Sequence, residues 1–134
     1  MRPSLLIAIA ALVFGGCVSR LPDQDLRILT MPPVAKLSTD ILWKEYQEQP
    51  EQANRSYWGK VVEITGKAST VGDDAPTDRY ILFAHGGEWG VRANLLDEQA
   101  SQILSRAREN PRVTLKCFCD GLSGHVLLKS CVVP

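Results

Sequence analysis

Four cysteines, two histidines and a few aromatic and charged side chains carry whatever chemistry this 134-residue sequence can perform. Cys117, Cys119 and Cys131 lie close together near the C-terminus, with His125 between them. Three thiolates and one imidazole are a conceivable zinc set. A C-x-C pair on one β-strand lacks the usual zinc-knuckle geometry, however, so neither a metal nor any other cofactor is expected. Disulfide chemistry fits better. Positions 117 and 119 share one face of a strand, about 6.5 Å apart along it. A bond between them would distort the strand, which leaves Cys131 as the partner of one or the other. His85, followed by Gly86-Gly87, has no nucleophile or carboxylate constellation beside it in sequence. It reads as a loop residue, and no enzymatic activity is expected.

The fourth cysteine belongs to a different chemistry. Met1 to Ser4 carries one positive charge, Leu5 to Phe14 is an uncharged, mostly aliphatic run, and Gly15-Gly16-Cys17 follows. Ten helical residues rise about 15 Å, half of a roughly 30 Å hydrocarbon core, so this is a signal-peptide segment and not a membrane span. Two small residues before a cysteine resemble the lipobox of bacterial lipoproteins, in which the cysteine is acylated and becomes the new N-terminus. Residues 1–16 are therefore read as a lipoprotein signal peptide and Cys17 as the lipidated residue. With Val18 following it, the expected location is the cell envelope, on the outer membrane facing the periplasm if the source is Gram-negative. Residues 17–37 contain Pro22, Pro32 and Pro33 without a sustained period and read as a tether. Twenty such residues could reach about 65 Å.

The elements that must position the remaining residues start at position 38. Ser38-Thr39-Asp40 offers caps for a helix carrying Ile41, Leu42 and Tyr46, which Pro50 should end or kink. Trp43 and Tyr46 read as an aromatic face packed on the domain. Tyr57 to Gly66 is a β-branched first strand between glycines. Ser69 to Asp78 has turn chemistry, with carboxylates at Asp73, Asp74 and Asp78. Arg79–Phe83 is a second strand and Trp89–Ala93 a third, with Trp89, Val91 and Ala93 inward. A helix follows, capped by Asn94 and stopped by Asn110-Pro111. Arg112–Cys119 is a fourth strand, Gly121–Gly124 a turn, and His125–Val133 the fifth.

Three strands, a helix and two strands is the order of an OB-fold, a five-stranded barrel with a helix between strands three and four. The sequence Leu42…Tyr46, Ala53, Tyr57-x-Gly59-Lys60-Val61-Val62-x-Ile64-x-Gly66, then Val113-Thr114-Leu115…Cys119-x-Gly121…Cys131 resembles the tRNA_anti-like family of small bacterial OB-fold proteins. The resemblance covers about residues 38–133 and implies a mainly β domain over 38–134. It also implies a Cys119–Cys131 disulfide, with Cys117 a buried thiol. A tight turn at Gly121–Gly124 would set Cys119 opposite Val126, so such a bridge needs a bulge.

Acids and bases balance at 15 each, which argues against a nucleic-acid binder. OB-folds bind on the face of strands two and three, where Tyr80 and Arg92 would point outward. These two are the candidate ligand-binding residues. The reading is a membrane-anchored, non-catalytic binding module for an envelope protein, peptide or glycan. Single-stranded nucleic-acid binding and a structural accessory role in an envelope complex are the alternatives.

Overall fold

The computed structural model describes residues 21–134. The signal-peptide segment and Cys17 lie outside the described residues. A 3-10 turn at Leu26–Leu29 leads to β1 (Ala35–Ser38), α1 (Thr39–Glu48), α2 (Pro50–Tyr57), β2 (Val61–Lys67), β3 (Thr70–Ala75), β4 (Asp78–Ala84) and β5 (Gly90–Leu95). Then come α3 (Asp97–Glu109), β6 (Arg112–Ser123) and β7 (His125–Val132). The protein is mainly β, with seven strands in one sheet of order β1-β2-β6-β7-β5-β4-β3.

The expected closed barrel of five strands is thus an open sheet of seven. The two extra strands come from stretches whose sequence reads as irregular: β1 from the tether, β3 from the acidic turn. The long α3 consequently follows the fifth strand rather than the third. β2 and β3 stand far apart in the sheet order, yet only Ala68 and Ser69 separate them along the chain. The sheet must curl to allow this. No ladder joins β2 to β3; Ala68 N instead donates to Pro111 O at 2.7 Å and Ser69 N to Leu82 O at 2.8 Å. Alternate residues of β2, β4, β5, β6 and β7 point into the curl, and Ile64, Ile81, Phe83, Val91, Leu115 and Leu128 are fully or almost fully buried there. Leu42 and Tyr46 of α1 and Ile103 and Leu104 of α3 complete this core.

Local signals hold where the partners are local. Ser38 Oγ accepts from Ile41 N at 3.1 Å and starts α1, and Pro50 opens α2 after a break at Gln49. They fail where the partner is distant. Asn94 does not cap α3, because its Oδ1 accepts from Arg92 Nε at 3.0 Å. Gln24 Oε1 accepts from Asp97 N instead, at 2.8 Å. Trp89 does not face inward. It precedes β5, is 47% exposed, and meets His125 edge-on at 4.9 Å between ring centroids.

The disulfide joins Cys117 to Cys131 and leaves Cys119 as a buried free thiol, which corrects the Cys119–Cys131 pairing. The turn between β6 and β7 is Gly124 alone, with Ser123 opposite His125. Counting six residues back from Ser123 and six on from His125 brings Cys117 against Cys131. Two irregularities interrupt this ladder, one near Gly121 on β6 (φ +84°) and one near Ser130 on β7 (φ +57°), and they cancel. Between them the register is offset, and Cys119 faces Leu128.

Residues 21–37 are not a free tether. Ile28 is fully buried with Val61, Leu96, Phe118 and Val132, while Leu21 and Met31 pack against the same cluster. The Ser130 hydroxyl accepts from Asp25 N at 2.8 Å and donates to Asp23 O at 3.1 Å. β1 then pairs in parallel with β2. This strap is also held by Lys129, whose ammonium donates to Leu21 O and lies 3.1 Å from both Asp23 and Asp120. Burial pulls the Lys129 pKa down, but the two carboxylates outweigh it and hold the ammonium above its ordinary value. A lysine raised in the folded state stabilises fully below the ordinary value of 10.5 and loses that stabilisation as pH rises through the folded value. Lys129→Met, which removes the contacts to Leu21 O, Asp23 and Asp120, should cost about 2 kcal/mol at neutral pH. Thermal melts of both proteins should converge as pH is raised beyond 10.5; a gap that persists unchanged would mean that the ion pairs contribute nothing.

Candidate functional site

Tyr80 on β4 and Arg92 on β5 are diagonal neighbours, since Tyr80 pairs with Asn94 and Leu82 with Arg92. The structure does bring them together. The guanidinium carbon lies 3.7 Å from the centre of the tyrosine ring, a close cation–π contact. Arg92 Nη2 also reaches Asp78 Oδ1 at 2.8 Å, and Nε reaches Asn94 Oδ1 at 3.0 Å. On β3, a Cβ at Gly72 would run into the Tyr80 ring, so a bare backbone there is what lets the ring lie down. Tyr80 is thus covered by Arg92 and packed on Gly72. Tyr80, Arg92 and Asn94 are half-buried and Asp78 is exposed at the rim, so the cluster is already formed, and a flat ligand could stack on the ring only by displacing the arginine.

A second constellation joins residues that sequence reasoning had separated. Trp43, near the middle of α1, stacks on His85 after β4, with centroids 5.7 Å apart and planes 12° from parallel. Asp40 Oδ1, in the first turn of α1, lies 3.3 Å from His85 Nδ1. His85 Nε2 is buried without a hydrogen-bond partner. So Trp43 packs against the core, as its place on the aromatic helix face suggests, and also stacks on His85, which is not a free loop residue. Beside them runs a cleft of about 530 Å³ lined by Asp40, Lys67, Ser69, His85 and Arg112, among others. Ser69 supplies no free nucleophile to this group: its hydroxyl donates to Leu82 O and accepts from Ala84 N, both at 2.8 Å. Lys67 and Arg112 are paired residues across the β2–β6 ladder, so two cations stand side by side at the cleft. The signal for this cluster was Gly86-Gly87, which turns the chain right after His85, but nothing in sequence points to Asp40 as its partner.

Cys119 makes a third, internal cluster. The Tyr46 hydroxyl donates to Asn54 Oδ1 at 2.9 Å and lies 3.4 Å from Cys119 Sγ. Burial pushes the Cys119 thiol up from its ordinary value, so it stays protonated at neutral pH. A protonated, enclosed thiol is a poor nucleophile. Among the described residues no group of His, Cys, Asp and Glu is arranged to hold a metal ion, and the Cys117–Cys131 bond takes two sulfurs from the conceivable zinc set.

No curated protein and no solved structure matches this chain. A match to the tRNA_anti-like family spans residues 7–132, nearly the whole sequence. By that match the chain belongs to the tRNA_anti-like family, whose OB-type domain is suited to a binding module.

Proposed function

We propose that this protein is an exported lipoprotein, anchored through Cys17, whose domain is a non-catalytic OB-type binding module in the cell envelope. In this reading β2 and β3 are the two halves of one bent strand, so the curled sheet is an OB barrel whose seam is the covalent link at Ala68-Ser69. The observation that carries the proposal is the buried Cys117–Cys131 disulfide. Such bonds persist in oxidising compartments and are rare in the cytosol, which speaks against a role on tRNA despite the family's name. The ligand classes that suit the polar Tyr80–Arg92–Asp78 face are a peptide, a glycan or a partner protein.

The mass of the mature N-terminus, measured with and without a signal peptidase II inhibitor, tests the anchor. An N-terminus at acylated Cys17, replaced under the inhibitor by the uncleaved precursor that still carries residues 1–16, is the expected result. An intact Met1 in a soluble cytosolic fraction would overturn the proposal and move single-stranded nucleic-acid binding to first place. That alternative is disfavoured by the stacking surface itself, because Arg92 already covers Tyr80. The binding face is tested by in-cell cross-linking. Arg92→Ala should weaken capture of the specific envelope partner about tenfold while changing the melting temperature by only a few degrees. Capture that survives both Tyr80→Ala and Arg92→Ala would favour a structural accessory role that uses another surface.

A further inference from the structure

The strap brings the folded domain close to its point of attachment. Had residues 17–37 formed a free tether, the domain would stand up to about 65 Å from the lipid. The chain is instead already held at Leu21, whose carbonyl is bonded by Lys129 and whose side chain joins the Ile28 cluster. Four residue steps separate Cys17 from Leu21, a reach of at most about 14 Å. The polar layer on each side of a bilayer is itself about 5–8 Å deep. A domain on so short a leash has to present the surface around the strap to the membrane.

That surface has a fitting chemistry. The turn at Leu26–Leu29 is a 3-10 helix, in which residues three apart lie in line. Ile28 points inward and is fully buried, while Arg27 lies over the Phe118 ring and pairs with Asp25. Leu26 and Leu29, three apart, are left outward, 58% and 44% exposed. Among the described residues nothing covers this pair, although the same short turn buries Ile28 completely. We infer that Leu26 and Leu29 dock onto the phospholipid surface and fix the orientation of the domain above it. The inference rests on acylation of Cys17.

The test uses the acylated protein in phosphatidylethanolamine–phosphatidylglycerol vesicles, with a fluorophore on Leu29→Cys or, as control, on Glu88→Cys. Glu88 is exposed in the turn before β5, whereas Gln24 of the strap is bonded to Leu95 at the far end of that strand. Nitroxide-labelled lipids should quench the probe at position 29 at least threefold more than the probe at 88. Adding Leu26→Asp should bring quenching at 29 down toward the control. Equal, weak quenching at both positions in protein whose mass shows an acylated Cys17 would overturn the docking and leave the anchor standing. An unmodified Cys17 would overturn both.

Discussion

Replacing Cys117 with serine is expected to lower the melting temperature by about 10–20 °C, and dithiothreitol should do the same to the unaltered protein. The bond closes a loop with a sequence separation of 14. The loop-closure entropy of such a chain corresponds to about 3 kcal/mol. A serine at 117 would add a hydroxyl in a fully buried site and leave Cys131 equally buried without its partner. Cys119→Ala is the control. It removes a thiol 3.4 Å from the Tyr46 hydroxyl, which keeps its bond to Asn54, so about 1 kcal/mol is at stake. Melts with and without reductant separate the two pairings. Dithiothreitol should destabilise the wild type and Cys119→Ala equally and have no effect on Cys117→Ser. If Cys119→Ala were the insensitive variant, the bridge would run from Cys119 to Cys131.

Why the sequence misleads here is a matter of register. Asp120-Gly121-Leu122-Ser123-Gly124 looks like one broad turn because it holds two glycines. Gly121 is not the turn: it sits inside β6 at φ +84°, at an irregularity, and β6 runs on to Ser123. With the turn moved to Gly124, the partner of Cys131 changes. The compensating irregularity falls at Ser130, where a serine adopts a left-handed backbone that no local signal announces. Its hydroxyl is bonded to Asp25 N and Asp23 O, more than a hundred residues away in sequence. A backbone conformation disfavoured by roughly 1–2 kcal/mol is held by the strap, so its cause lies outside any window of neighbouring residues.

The same distinction separates the rest of what was legible. The faces of α1, β2, β4, β5 and α3 follow from apolar periodicity, because each buries several residues against one core. The strap buries few residues along its length, chiefly Ile28, and shows no period to find. β3 hides for another reason. Its Asp73 and Asp74 are exposed, and its inward contribution is Val71 beside a buried Gly72, a composition indistinguishable from a loop. For the candidate site, Tyr80 and Arg92 were placed on one face by strand alternation alone, and they do touch. The Trp43–His85–Asp40 cluster joins a helix to a strand end, a contact that alternation cannot supply.

Ile28→Asp should release the strap while leaving the curled sheet folded. The side chain is fully buried among Val61, Leu96, Phe118 and Val132. Losing its burial and placing a carboxylate there would cost about 3–5 kcal/mol if the strap stayed docked. Undocking is the cheaper response, because the core within the sheet shares none of that cluster's residues and the disulfide lies within the sheet. Trypsin should then cleave rapidly after Arg27, and the trimmed product should keep a cooperative thermal transition a few degrees below that of the wild type. Ile28→Val, which keeps the plug, should cost about 1 kcal/mol and leave Arg27 protected. Wholesale unfolding of Ile28→Asp would show instead that the strap and sheet form one cooperative unit. Release has a consequence for an anchored protein. A freed strap restores the length of residues 17–37, so the domain's reach from the lipid would rise from about 14 Å toward about 65 Å. If Cys17 carries the proposed anchor, one buried isoleucine separates a domain held close to the membrane from one that ranges away from it.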